Sequence, residues 1–210
     1  MSEALREKSS ESEMAVRRES PLHYVIQAQS SAEGADCGVL LKEFPLKGHL
    51  SLRGNPDNEL FLRGTEEVLG LALPTKIGES AASGETQVYC LSPNEWLLVV
   101  VGGTEAELER CLRESLNGHF AVVDLSGGQT LMNLSGKDVL PLLQKSSGYD
   151  FHPSHFGAGR CVQTTFAKAG ALVCKKDDGS FDLVIRRSFA DYLFKWIADA
   201  SAEYGFRAES

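Results

Sequence analysis

The sequence predicts an α+β protein built as two small lobes, each a mixed or antiparallel sheet with helices packed on one side. Three observations predict it. Segments with strand character come in adjacent pairs separated by Gly, Pro, Asn or Asp turns. Amphipathic segments with punctuated ends follow such pairs and seldom link strand to strand in βαβ order. With 210 residues, the chain can bury a sizeable core as one domain or two small ones. The lobes are expected at about 21–118 and 119–205.

Residues 1–20 hold five acidic and four basic side chains among serines, with little to bury, and read as a disordered tail. Order should begin near Pro21, so that 21–210 is the folded part. Gly38–Pro45 and His49–Gly54 read as strands joined by a short turn; Leu50 and Leu52 share a face opposite Ser51 and Arg53. A helix should start at Asn55-Pro56-Asp57 and run to about Leu69, burying Leu60, Phe61 and Val68, although Gly64 weakens it by roughly 1 kcal/mol. Pro74–Gly84 reads as a loop.

Gln87–Leu91 and Glu95–Val101 form a hairpin turned by Ser92-Pro93-Asn94. Thr104 and Glu107 offer a capping box to a helix whose stripe is Leu108, Leu112 and Leu116, stopped by Asn117-Gly118. Ala121–Leu125 and Thr130–Leu134 flank Ser126-Gly127-Gly128-Gln129 and read as a second hairpin. Ser135 and Asp138 suit an N-cap before Gly136–Lys145, a helical pattern in which Pro141 calls for a kink or a short first segment. The loop 148–159 leads to a strand at Cys161–Phe166, and Ala171–Lys175 with Phe181–Ile185 makes a hairpin around Asp177-Asp178-Gly179. The closing helix, about Ser188–Tyr204, is capped by Ser188 and Asp191 and buries Phe189, Leu193, Trp196, Ile197 and Ala200.

The formal charge of −8 argues against nucleic acid or an anionic membrane as a principal partner, since both select a basic face. No apolar run is long enough for a spanning helix, and the first twenty residues carry no signal-peptide core. Cys37, Cys90, Cys111, Cys161 and Cys174 are scattered without a Cys-x-x-Cys, which favours small core hydrophobes in a reducing, cytoplasmic setting.

Candidate chemistry is sparse. His119, Asp124 and Ser126 are the residue types of a hydrolytic triad, but strand parity turns His119 away and no nucleophile elbow is present. Asp150, His152 and His155 are metal-ligand types, interrupted by Pro153; a loop with exposed or capping histidines is the simpler reading. Gly127-Gly128 lacks the remainder of any phosphate-loop motif. Arg186 and Arg187 are either a partner-facing pair or a solvated one. Trp96 could anchor an interface, whereas Trp196 lies on an apolar stripe. Residue types and spacing therefore nominate no catalytic, cofactor-binding or metal residue.

Several blocks, in order, carry a family resemblance: Ser20-Pro21-Leu22, HLSLRGNPDNELF (49–61), SPNEWLLV (92–99), AVVDLSGGQT (121–130), GYDFHPSHFGAGRCVQTTFAKAGALV (148–173) and FDLVIRRSFADYLFKWIADASAEYG (181–205). Together they resemble the gamma subunit of heterotetrameric sarcosine oxidase. The resemblance implies a fold related to the folate-binding domains of aminomethyltransferases and the amino-terminal domain of the tRNA-modifying GTPase, with LSGKDVLPLLQKSS (134–147) as its strand–turn–helix. It implies alpha, beta and delta partner subunits and a reaction that converts sarcosine to glycine and hydrogen peroxide. The one-carbon unit goes to tetrahydrofolate or leaves as formaldehyde. FAD, FMN, NAD and tetrahydrofolate belong to the larger subunits and zinc to the smallest, with no cofactor in this chain. Partner contacts are expected around Trp96, His152, His155, Arg186 and Arg187. Pro141 and Gln129, the latter where an arginine is expected, depart from the family pattern. An equivalent subunit of an N-methylglutamate dehydrogenase-type complex and a stand-alone folate-binding aminomethyltransferase-like protein are the alternatives.

Overall fold

In the computed structural model, two sheets stack face to face, and each carries helices on its outer face. The structure describes residues 18–29 and 37–209; the disordered tail expected over 1–20 lies, as far as residue 17, outside the described residues. The six-stranded sheet has the order β11 (Phe206–Glu209), β1 (Val39–Phe44), β7 (Gln129–Ser135), β10 (Phe181–Arg186), β9 (Ala169–Lys175), β8 (Cys161–Phe166). Its pairings are antiparallel except β1 with β11. The five-stranded sheet runs β3 (Ser80–Ser83), β4 (Thr86–Ser92), β5 (Glu95–Val100), β2 (Gly48–Arg53), β6 (Ala121–Asp124), antiparallel throughout.

Period-two alternation explains the layers, because each strand sends successive side chains to opposite faces. From the six-stranded sheet, Val39, Leu41, Met132, Leu134, Leu183 and Ile185 pack under α1 (His23–Gln29), α4 (Val139–Ser146) and α5 (Ala190–Ala200). From the five-stranded sheet, Leu50, Leu52, Trp96 and Leu98 pack under α2 (Glu59–Leu69) and α3 (Glu105–Ser115). The inward faces meet through Tyr89, Leu97 and Val99 on one side and Leu131, Leu172, Cys174 and Val184 on the other. A mixed α+β fold with helices on one side of each sheet is therefore what forms.

The hairpin expected from Ala121 to Leu134 does not form. β6 pairs with β2 in one sheet, while β7 lies between β1 and β10 in the other. Paired only with β6, strand β7 would keep an open edge; where it lies, both edges are bonded, and Leu131, Met132 and Leu134 are buried. The chain crosses between sheets twice, after Phe44 and after Asp124. The crossings are tied together: the Leu125 N–H donates to the His49 carbonyl at 2.7 Å, and the His49 N–H donates to Ser126 Oγ at 3.0 Å. Residues 48–124 thus build the five-stranded sheet, while 39–44 and 129–209 share the six-stranded one.

Helix ends depart from the expected caps. Asn58, not the Asn55–Asp57 turn, caps α2, its Oδ1 accepting from the Leu60 N–H at 3.0 Å. Thr104 makes no cap bond; its hydroxyl donates to the Val101 carbonyl, and Glu107 binds Arg110 instead. A 3-10 turn at Arg187–Phe189 replaces the Ser188 cap. Pro141 is third in α4, within the first turn, where a missing N–H forfeits no helical bond. Gly64 is buried where α2 meets α3; a Cβ there would lie 3.0 Å from Ser115 Oγ. The helix α1 and the strands β3 and β11 fall where no element was expected.

Candidate functional site

A cleft of about 520 Å3 opens where the two sheets part at one end. Sheet register builds its floor. Arg186 on β10 is paired with Gln129 on β7, and Thr165 on β8 with Gly170 on β9. All four line the cleft, on the side of the sheet from which Val184 and Leu172 pack against the opposite sheet. Leu91, Glu95, Leu97 and Ser51 face them from the five-stranded sheet. Charge in the cleft is not balanced. Glu95 is committed to Arg53, Oε2 to Nη2 at 2.7 Å, whereas Arg186 has neither an ion pair nor a hydrogen bond among the described residues. The Oε1 atom of Gln129 is buried and no donor in the described residues reaches it.

The surface residues singled out from the sequence are scattered. Trp96 is fully buried, with its indole N–H donating to the Pro74 carbonyl at 2.7 Å and its ring 5.8 Å from that of Phe61, so its side chain has no surface to present. Trp196 is half-buried and its N–H donates to Ser146 Oγ at 3.1 Å. His152 and His155 are exposed on the loop after α4, with rings 6.4 Å apart. His152 Nδ1 bonds Ser154 Oγ at 2.7 Å, and His155 Nε2 lies 3.9 Å from Asp150 Oδ2. This loop is anchored from beneath by the mutually packed rings of Tyr149, Phe151 and Phe156.

The arginine pair divides. Arg186 is exposed in the cleft, while Arg187 is half-buried and turned inward, its Nη2 donating to the Glu19 carbonyl at 2.6 Å. Its charge also acts on Glu43, a fully buried carboxylate on β1. Burial pushes Glu43 above the ordinary carboxylate range, opposed by hydrogen bonds from Ser20 Oγ at 2.7 Å and Thr130 Oγ1 at 3.2 Å, and by Arg187. This network fastens residues 19–22 to the six-stranded sheet.

The triad residue types do structural work. Asp124 Oδ1 accepts from the Ser126 N–H at 2.8 Å, Ser126 Oγ serves His49, and His119 is exposed with no bond to either. His49 is fully buried. Its Nδ1 faces the Lys47 carbonyl at 3.0 Å, so Nδ1 carries the proton and Nε2 is left without a partner. Burial pushes its imidazole below the usual histidine range. Among the cysteines, burial raises the Cys161 thiol to about 12 and Cys174 to about 11, which keeps both protonated and weakly nucleophilic. No group of three potential metal ligands occurs among the described residues. No helix among them is long and apolar enough to cross a membrane.

Sequence reasoning passed over Gln129 and Gly170 as cleft residues. The strand was expected to end at Ile185, whereas β10 reaches Arg186 and puts it on the face of Val184; nothing local revealed which sheet would lie opposite.

The family described as "Sarcosine oxidase, gamma subunit family" matches residues 53–203. Two curated relatives share its description: sarcosine oxidase subunit gamma of Corynebacterium sp. (strain P-1) is 31% identical over 191 residues, covering 89% of this chain and 91% of that protein. The same subunit of Arthrobacter sp is 30% identical over 190 residues, at 89% and 91% coverage. Among solved structures, heterotetrameric sarcosine oxidase from Corynebacterium sp. U-96 contains a chain that superposes with a TM-score of 0.79 at 28% identity, covering 89% of this chain and 96% of that one. The glycine cleavage system aminomethyltransferase T of Bartonella henselae superposes with a TM-score of 0.66 at 14% identity, covering 90% of this chain and 58% of that one, a likeness of fold alone.

Proposed function

This chain belongs to the sarcosine oxidase gamma subunit family, and from that premise we propose that it is the noncatalytic gamma subunit of a heterotetrameric sarcosine oxidase. The complex would demethylate sarcosine oxidatively to glycine and hydrogen peroxide, passing the one-carbon unit to tetrahydrofolate or releasing formaldehyde. Its partners would be the alpha, beta and delta subunits, with FAD, FMN, NAD and tetrahydrofolate held by the larger chains and zinc by the smallest. This chain's role is to assemble and stabilise the flavin-bearing subunits in the cytoplasm.

One observation supports this reading most: the likeness to a chain of a heterotetrameric sarcosine oxidase runs over 89% of this chain and 96% of that one. The chain's own chemistry is consistent with a scaffold, since burial raises the Cys161 and Cys174 thiols and Asp124 and Ser126 are spent on a crossover. We place the partner contact at the loop bearing His152 and His155. That loop is polar and exposed above, yet held rigidly by an aromatic base, so presenting it costs little ordering entropy.

The test is to co-express the four chains with and without this one, and to assay peroxide release from sarcosine and reduction of an added electron-acceptor dye with N-methylglutamate. The expected result is sarcosine-dependent peroxide, with little assembled flavoprotein when this chain is omitted. Full assembly and turnover without it would overturn the role, and activity with N-methylglutamate alone would move the chain to the related complex.

A further inference from the structure

We propose that the open edge of β8 receives an extended segment of a partner subunit, added antiparallel as a further strand and reading acidic residue, any residue, apolar residue; this rests on the assembly role above. Exposed strand edges invite pairing, and proteins blunt them by shortness, charge or cover. Three of the four edges among the described residues are blunted. β3 and β11 have four residues each, and β11 carries the Arg207–Glu209 pair. On β6, also of four residues, the Val122 carbonyl is taken by Arg113 Nη2 at 2.7 Å. β8 has six residues with neither charge nor proline.

Backbone parity shows what that edge offers. At its ends, the Cys161 N–H donates outward to the Gly78 carbonyl at 2.8 Å and the Ala167 N–H to the Ser146 carbonyl at 2.6 Å. The N–H and C=O groups of Gln163 and Thr165 therefore point outward too, and no backbone partner meets them among the described residues. Two paired residues of an incoming strand, one opposite each, fill this seat. Their side chains enter the cleft face, as those of Gln163 and Thr165 do. Opposite Thr165, the row across the sheet runs Thr165, Gly170, Arg186. Gly170 leaves the path open, since a Cβ there meets nothing within 4 Å, and Arg186 has no counter-ion among the described residues. A strand beside β8 would lie three spacings, about 14 Å, from β10, which an arginine and a glutamate extended toward each other span. Opposite Gln163, a hollow of about 300 Å3 lined by Ile77, Leu91 and Leu172 takes an apolar side chain.

The assembled four-chain complex tests this. Residue-level hydrogen exchange should find the Gln163 and Thr165 amides as slow as Val162 and Thr164, whose amides β9 holds. Thr165→Pro removes an N–H that β9 does not use, so the chain should fold while its dissociation constant from the other subunits rises roughly tenfold. Arg186→Glu, on an exposed side chain, should weaken assembly about as much and covers the case in which the proline variant misfolds. A photo-crosslinking residue at Gln163 should capture one partner segment with the stated residue order. Gln163 and Thr165 amides exchanging about a hundredfold faster than their neighbours, unchanged affinity in Arg186→Glu, or capture of a second copy of this chain would overturn the proposal and leave the assembly role standing. Failure of the four chains to assemble at all would overturn both.

Discussion

Replacing Trp96 with Phe separates a core tryptophan from an interface anchor. The indole is fully buried beneath α2 and α3 and donates to the Pro74 carbonyl at 2.7 Å. Phe keeps a ring against Phe61 but removes the N–H, leaving that carbonyl without its donor, which costs about 1–3 kcal/mol. The smaller ring gives up roughly 40 Å2 of buried apolar surface, or about 1 kcal/mol. The expected loss is therefore about 2–4 kcal/mol. With a urea dependence near 2 kcal/mol per molar for a chain of this size, the unfolding midpoint should fall by roughly 1–2 M at unchanged slope. Far-ultraviolet circular dichroism reads the transition without relying on the deleted fluorophore. A midpoint within about 0.2 M of the wild type, together with weakened subunit assembly, would refute the buried placement.

His49 should make folding pH-dependent on the acid side. Its folded-state imidazole is held below the usual range by burial, while the unfolded chain takes up the proton near pH 6.5. Its contribution is then complete above that pH and is lost as pH falls through the folded-state value, by at most about 1.4 kcal/mol per pH unit. Stability curves of the wild type and His49→Gln should run parallel above pH 6.5, and below it the wild type should lose stability relative to the variant; curves parallel over the whole range would contradict this. Gly136 turns the chain into α4 at φ 112°, where a Cβ would lie 2.3 Å from the Gly38 carbonyl oxygen. Gly136→Ala should cost about 2–4 kcal/mol and lower the melting temperature by roughly 5–12 °C, whereas an unchanged melt would place that backbone differently.

Elements with strong local signals were legible in the sequence. The Leu108, Leu112 and Leu116 stripe, the β4–β5 and β9–β10 hairpins and the closing helix all occur near their expected positions. Partner choice between strands was not legible, because period-two alternation states which face is buried and not which strand lies alongside. Ala121–Asp124 and Gln129–Ser135 look like neighbours in sequence and yet settle in different sheets. The strand β11 has only four residues and forms because β1 has an edge to offer, a long-range circumstance invisible in Phe206–Glu209 itself. Caps failed for a related reason: Thr104 and Glu107 have the right types, but Val101 and Arg110 compete for them. The adjacent arginines show the same limit. Identical chemistry one residue apart ends in a cleft for Arg186 and in an internal tether for Arg187.

Affinity purification of this chain from its native source, followed by mass spectrometry and an absorbance spectrum of the eluate, tests the central claim most directly. The account predicts three further chains in constant ratio, matching alpha, beta and delta subunits of sarcosine oxidase, with flavin absorbance in the same fraction. A stably folded chain that elutes alone, without flavin and without those subunits, would contradict it.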